Sequence, residues 1–383
     1  MRRSFYRLDC SVLSALLDLL KQRGYSLLGP QVCGNAIRWK PLEQLADLPA
    51  GLTARLAPSE YRLQDGTNGG FFQHPGGLDS IKPILHPPRQ TITTIRKAGD
   101  QLEVVQETPP SIKRAFLGIP ACELAAVAAL DRVLLQNGEA DEVYSANRSE
   151  AFFIAVHCTH SAPTCFCASM GTGPRARTGF DIALTERLDG EHPEFLAEAG
   201  SSLGTRFLEE ANAPPAPPEW ARQSNEATQR AAEGQTRKVN RQAVREVIEN
   251  TFDHPRWEQT AKRCLSCGNC TSSCPTCFCV NYEEQSSLDL SVAQRVRVWD
   301  SCFTHSFSYI HGGSIRLTPK SRFRQWVSHK LARWHDQFGV TGCVGCGRCI
   351  VWCPAGIDIT EEFAVLEQAA SPLITAGGSP HGH

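Results

Sequence analysis

Residues 343–354, CVGCGRCIVWCP, place four cysteines at C-x2-C-x2-C-x3-C with a proline directly after the last, and residues 264–275, CLSCGNCTSSCP, repeat the arrangement. Two short loops that each gather thiols at this density have to fold around a shared chemical purpose. The chain holds 17 cysteines in 383 residues, so its redox setting decides what that purpose is. The N-terminus, MRRSFYRLDCSVLSALLDLLKQRGY, starts basic and turns leucine-rich, but Asp18 interrupts it and no small-residue cleavage site follows. An export signal is therefore not expected, and the thiols are placed in a reducing cytoplasm where stable disulfides are rare. Dense cysteine in that setting points to metal or redox chemistry.

A tight loop with three thiols at x2 spacing turns its sulfurs inward and its backbone N–H groups toward an anionic centre, which is how a Fe4S4 cube is held. The fourth cysteine lies a turn further on and reaches the neighbouring cube in two-cluster proteins. Cys264, Cys267, Cys270 and Cys353 are accordingly expected to ligate one [4Fe-4S] cluster, and Cys343, Cys346, Cys349 and Cys274 the other. Structural zinc is the competing reading. It needs only two C-x2-C knuckles, and a third thiol at x2 followed by Cys-Pro is superfluous for a four-coordinate ion. Cys277 and Cys279, in CPTCFCV, follow too closely behind Cys274 to lie far from it, and are expected as S–H donors to ligand sulfur or as small buried apolar groups.

Composition narrows the function classes. Lysine and arginine number 39 against 40 acidic residues, and 41% of residues are hydrophobic, an ordinary globular balance without the basic excess that marks a nucleic-acid surface. No apolar run approaches the length of a membrane-spanning helix; the best candidate, 115–135, is broken by Glu123, Asp131 and Arg132. Neither nucleic acid nor membrane insertion is expected.

The fold class that follows is α+β: an N-terminal α/β domain, then a mostly helical, ferredoxin-like dicluster domain. Residues 1–190 form the first unit. Leu13, Leu16, Leu17 and Leu20 share one face of a helix stopped by Gly24, and TITTIRKAGDQLEVVQE reads as a hairpin turning at 97–100. RAFLGI (114–119), a helix over 120–136 and AFFIAVHC (151–158) make a strand, helix, strand series, which implies parallel strands. Residues 191–236 lose their apolar rhythm, and Pro214, Pro215, Pro217 and Pro218 favour an extended spacer, so this stretch is expected as a linker. Residues 237–370 hold the two cysteine motifs, and 371–383 read as a disordered tail. Between the motifs, RFRQWVSHKLARWH (322–335) is expected as a helix with Phe323, Trp326, Val327, Leu331 and Trp334 on one face. Arg322, Lys330 and Arg333 are put on or beside the opposite face, either as a solvated basic face or as a docking or cluster-neutralising surface.

The strand series also brings cysteines together. Cys122 follows the carboxyl end of the first strand and Cys158 ends the second, so both face the crevice where open α/β sheets place ligands. The next loop adds Cys165 and Cys167. These four would suit a third cluster; zinc, or buried thiols without metal, stay open beside it. The glycine-rich stretches 65–77 and 170–174 lack the strand and helix context of a phosphate cradle and are read as turns. Cys10, Cys33 and Cys302 are isolated and read as structural. No nucleophile with its base stands out, which leaves a self-sufficient reductase without a visible site.

The strings GIPACELAAVAALDRVLL, TCFCASMGTGP, CLSCGNCTSSCPTCFC, VWDSCF and CVGCGRCIVWCP, in this order, resemble the iron–sulfur beta subunit of cytoplasmic sulfhydrogenase-type NiFe hydrogenases, and the A subunit of anaerobic sulfite reductases. The resemblance runs from the N-terminal helix to Ile357. It implies a non-catalytic electron carrier with two [4Fe-4S] clusters, the third still open, beside a flavin subunit that binds NAD(P)H and a separate hydrogenase or sulfite reductase catalytic subunit. The other class consistent with the residues is a zinc-stabilised interaction protein with no redox role.

Overall fold

The computed structural model describes residues 4–66, 68–74, 79–107 and 109–376. Its N-terminal half is built on a seven-stranded mixed sheet. In spatial order the strands are Phe5–Leu8, Glu194–Ala199, Ile182–Arg187, Ala151–Val156, Arg114–Pro120, Ser26–Cys33 and Ala36–Pro41. The pairings from Ser26–Cys33 through Ile182–Arg187 are parallel, and those at both edges are antiparallel. The expected strand, helix, strand series is present as Arg114–Pro120, Ala121–Leu134 and Ala151–Val156, with an additional helix, Glu142–Ser149, before the second strand.

Helices cover both faces. On one side Cys10–Gln22, capped by the Asp9 carboxylate on Ser11 N and Val12 N, buries Leu13, Leu16, Leu17 and Leu20. Each such leucine contributes about 1.5–3 kcal/mol by leaving water. On the other side Leu124, Val127 and Leu130 of the helix Ala121–Leu134 pack with Phe116, Phe153 and Tyr144. The hairpin appears as Arg89–Ala98 and Gln101–Gln106.

The expected linker over 191–236 is instead part of the sheet domain. Glu194–Ala199 is a central partner of two other strands, Ser202–Glu210 is a helix, and the proline segment lies along the first strand, with Arg7 N donating to Pro214 O at 2.8 Å and Ala216 N to Phe5 O at 3.1 Å. Prolines lack an N–H, so an edge where their carbonyls alone accept is where a sheet tolerates them. Pro218 then opens the helix Pro218–Glu233, whose buried face is Trp220, Ser224, Thr228 and Ala231. Small polar residues on that face hide its helical period from a hydrophobicity reading.

Residues beyond 236 are not helix and cysteine motif alone. Val280–Ser286 and Val292–Trp299 form two strands of a second sheet that continues into the hairpin from the N-terminal half, ordered Val280–Ser286, Val292–Trp299, Arg89–Ala98, Gln101–Gln106. The C-terminal core gathers Trp257, Phe323, Trp326, Val327, Leu331, Ile350 and Phe363, together with Phe166 and Met170 from the N-terminal half. The expected tail is helical through its first residues, since the last helix is Ile359–Ala376. Residues 377–383, like Thr67 and residues 75–77 of the glycine-rich stretch, lie outside the described residues. No helix among the described residues is long and apolar enough to cross a membrane.

Candidate metal centre

The two cysteine loops repeat one backbone design. In each, the residue before the second cysteine takes positive φ, Ser266 at 50° and Gly345 at 65°, and the glycine after it does so again, Gly268 at 76° and Gly347 at 74°. The first of these turns aims its N–H back at the first thiol: Ser266 N donates to Cys264 Sγ at 3.4 Å and Gly345 N to Cys343 Sγ at 3.5 Å. Inward N–H groups of this kind neutralise an anionic sulfur centre.

The loops also exchange their fourth thiols. Cys264, Cys267 and Cys270 line a cavity together with Cys353 of the other motif, and Leu265, Phe303, Phe323, Trp326 and Ile357 supply the large apolar side chains of its remaining wall. Burial pushes the Cys270 thiol well above its ordinary value, reinforced by Cys302, Cys264, Cys353 and Cys267. Ile357 N donates to Cys353 Sγ at 3.3 Å, and Asn269 Nδ2 to Trp352 O at 3.3 Å, which ties the first loop to the end of the second. Cys267 is exposed and Leu265 is 69% exposed, so this cavity reaches the surface.

Cys343, Cys346, Cys349 and Cys274 form the second group. Burial pushes Cys343 up to about 12 and Cys349 well above the ordinary thiol range, and each of the other three thiols is within electrostatic reach of Cys349. Cys349 also lines the first cavity, so the two groups adjoin. Cys274 alone moves the other way. A hydrogen bond with Cys277 holds it well below its ordinary value, against burial and with help from Lys330, Thr276 and Lys82, while the same bond raises Cys277.

Of the two readings left open for these basic residues, Lys330 departs from the solvated one. It is 4% exposed, and its Nζ donates to Thr276 Oγ1 at 2.9 Å. The residue follows Trp326 by four and Val327 by three, the same helical face that turns inward. Burial opposes its charge, but Cys274, Cys277 and Cys343 outweigh burial and hold the ammonium above its ordinary value. Arg322 instead binds the carbonyls of Phe303, Arg316 and Leu317, and Arg333 pairs at the surface with Glu249.

The third group assembles in the N-terminal half as the strand ends imply. Cys122, Cys158 and Cys165 each interact with Cys167, and burial pushes all four thiols up, Cys165 to about 12. This group abuts the second one. Cys122, Cys167, Val344 and Cys346 share a small packed cluster, and Phe166 N donates to Gly345 O at 2.9 Å. The contact is so close that a Cβ on Gly347 would sit 2.3 Å from Thr164 O.

Several participants were not legible in the sequence. Gln235, from the expected linker, donates to Cys167 Sγ at 3.2 Å and accepts from Ala168 N at 2.9 Å. Arg348 and Glu123 form a buried ion pair at 2.7 Å beside Cys346 and Cys122. Lys82 donates to Cys277 O at 3.0 Å. Cys279 is half-buried near Lys330 and Asp300. Cys302 is not isolated, since it lies beside Cys270 and Cys279; Cys33 is exposed, and Cys10 Sγ donates to Pro193 O at 3.6 Å.

The donor set fits cubes better than single ions. Among the described residues no three His, Cys, Asp or Glu side chains converge as a site for one metal ion. A tetrahedral zinc site draws its sulfurs to about 2.3 Å from a common point, whereas a cube spreads its four ligands around a larger body. Burial favours the protonated form of thiols such as Cys343 and Cys349, so ligation there would release protons.

Known proteins point the same way. Residues 263–357 match the family model of a 4Fe-4S dicluster domain. Sulfhydrogenase 2 subunit beta of Pyrococcus furiosus is 32% identical over 303 residues, covering 78% of this chain and 86% of that protein. No solved structure matches the chain.

Proposed function

Since the chain belongs to the family of the sulfhydrogenase beta subunit, we propose that it is the electron-carrying subunit of a multisubunit oxidoreductase and passes single electrons between an NAD(P)H-linked flavin subunit and a catalytic subunit. A NiFe hydrogenase is favoured as that catalytic subunit, with an anaerobic sulfite reductase next, because the relative is a sulfhydrogenase subunit. The observation that carries the reading is the cavity in which three thiols of the first motif meet Cys353 of the second.

In this reading Cys264, Cys267, Cys270 and Cys353 hold one [4Fe-4S] cluster, Cys343, Cys346, Cys349 and Cys274 a second, and Cys122, Cys158, Cys165 and Cys167 a third. Such clusters supply one-electron exchange with little rearrangement of their ligands. The chain contributes the rest. Its left-handed turns direct N–H groups at sulfur, Cys277 donates to Cys274, and Gln235 donates to Cys167. Cys349 joins the first group to the second and Cys346 joins the second to the third, which supports a row with the second motif in the middle. Phe303, Phe323, Trp326 and Ile357 keep water from the inner side of the first group.

Iron, acid-labile sulfide and zinc per chain, measured on anaerobically purified protein, test this. About twelve irons are expected for three cubes, and about eight would restrict the relay to the two C-terminal groups. Stoichiometric zinc without iron would contradict the redox reading, and the identity of co-purifying subunits decides between the two catalytic partners.

A further inference from the structure

The charged groups around the three thiol sets are distributed unevenly. The cavity of the first motif has no lysine or arginine in its wall. Against the second set stand two ammonium groups with almost no access to solvent, Lys330 at 4% and Lys82 at 3% exposure. Arg348 also approaches, but Glu123 balances its charge at 2.7 Å.

Neither lysine is in direct ion-pair contact with a carboxylate among the described residues, although Glu123, held at 2.7 Å by Arg348, reaches Lys82 electrostatically. Lys330 Nζ donates to Thr276 Oγ1 at 2.9 Å, and that hydroxyl donates in turn to Gly342 O at 2.6 Å and lies 3.2 Å from Cys274 Sγ. Lys82 Nζ donates to Cys277 O at 3.0 Å and sits 3.8 Å from the centre of the Trp299 ring. A buried ammonium without a counter-charge is costly, so Lys330, which no carboxylate faces among the described residues, requires an anion close by, and Lys82, which Glu123 reaches, shares that anion from the other side. The turn Cys274–Thr276–Cys277, gripped from both sides, is where that anion must be.

We propose that Lys330, supported by Lys82, is a positioning residue that raises the reduction potential of the centre held by Cys274, Cys343, Cys346 and Cys349 above that of the centre held by the first motif. The inference rests on the reading of these thiols as cluster ligands and adds an order to them. Reduction places one more negative charge on the centre, and an adjacent positive charge in a medium of low dielectric stabilises that reduced form more than the oxidised one. The cavity of the first motif, walled largely by apolar side chains and open to solvent at Leu265 and Cys267, has no buried lysine or arginine among its lining residues, and the neighbouring Arg263 is half-exposed and paired with Glu362. The middle position of the row is therefore where an electron rests, and the surface position is where it enters or leaves.

An EPR-monitored reductive titration of the anaerobic full-length chain, wild type against Lys330→Met, tests this. The expected result is a fall of at least about tenfold in the reduction equilibrium constant of one centre, equivalent to about 59 mV for one electron, with the first-motif centre moving far less. Lys330→Arg, which keeps the charge, is expected to retain most of the wild-type value. Full iron content with an unmoved midpoint in Lys330→Met overturns the inference alone. If Lys330→Met fails to hold iron, Lys82→Met decides by the same reading: a smaller fall of the same centre supports the proposal, and no fall overturns it. A wild-type chain without iron would overturn the ligand reading as well, so the two failures are distinguishable.

Discussion

In the first cysteine loop Ser266 and Gly268 hold the left-handed turns, and in the second Gly345 and Gly347 hold them, so the backbones superpose in kind. Their surroundings do not. Cys267 and Leu265 reach solvent, while Val344 is 4% exposed and Ile350 fully buried. Ser59 Oγ, at the turn between the strands Leu52–Ala57 and Glu60–Asp65, donates to Cys353 O at 2.6 Å, the loop 164–167 presses on Gly345 and Gly347, and Thr172 Oγ1 donates to Val344 O at 2.6 Å. The same motif thus lies once at the surface and once enclosed. A cysteine spacing encodes what a loop can bind; its environment encodes how far that centre is kept from solvent and charge.

The comparison breaks hardest if the exchange of fourth thiols is removed. Cys353→Ser is expected to strip about four irons from each chain, and the loss falls on the centre of the first motif although the substitution lies in the second. Iron analysis with EPR of the reduced protein checks it, and loss of the second-motif signal instead would return each motif to its own four cysteines.

A pair of alanine substitutions sharpens the contrast in packing. Gly347→Ala and Gly268→Ala both place a side chain at positive φ, at about 1–2 kcal/mol each. Only at Gly347 would the new Cβ also meet backbone, 2.3 Å from Thr164 O; at Gly268 the nearest atom is Ser301 Oγ at 3.4 Å. Thermal unfolding of the anaerobic proteins should therefore show a clearly larger drop for Gly347→Ala. Equal drops would mean that the N-terminal loop does not rest on the second motif.

Gln235→Leu probes the third group. It removes the donor to Cys167 Sγ and leaves Ala168 N without its acceptor, which costs about 1–3 kcal/mol of stability. The midpoint of that centre is expected to fall in a redox titration, because a hydrogen bond to ligand sulfur favours the reduced form. An unchanged midpoint would detach Gln235 from any redox role. The smallest effect is expected from Cys33→Ser, an exposed thiol outside all three groups, which should leave iron content unchanged.

How much of this was legible follows from the physics of each signal. The eight motif cysteines are legible because spacing alone dictates how a loop turns its sulfurs. The four N-terminal cysteines are legible through topology, since residues after the carboxyl ends of adjacent parallel strands meet at one sheet edge. Residues 191–236 were misread as a linker because an edge partner built from proline and a helix buried through Trp220, Ser224 and Thr228 carry little hydrophobic period. The strands Val280–Ser286 and Val292–Trp299 escaped for a related reason: few of their side chains are buried, and their partner hairpin lies nearly 200 residues away, Gln294 meeting Thr94. Lys330 was assigned by charge rather than by its helical position, and Gln235 has no local signal, because its partner Cys167 is distant in sequence.

The central claim is that the two motifs share ligands and that a third thiol group stands beside the second. Diffraction from anaerobic crystals, with anomalous data collected at the iron edge, tests it most directly. The account predicts three separate iron centres: one among Cys264, Cys267, Cys270 and Cys353, one among Cys343, Cys346, Cys349 and Cys274, and one among Cys122, Cys158, Cys165 and Cys167. Iron enclosed by Cys264, Cys267, Cys270 and Cys274 alone, or single zinc ions in place of iron, would contradict it.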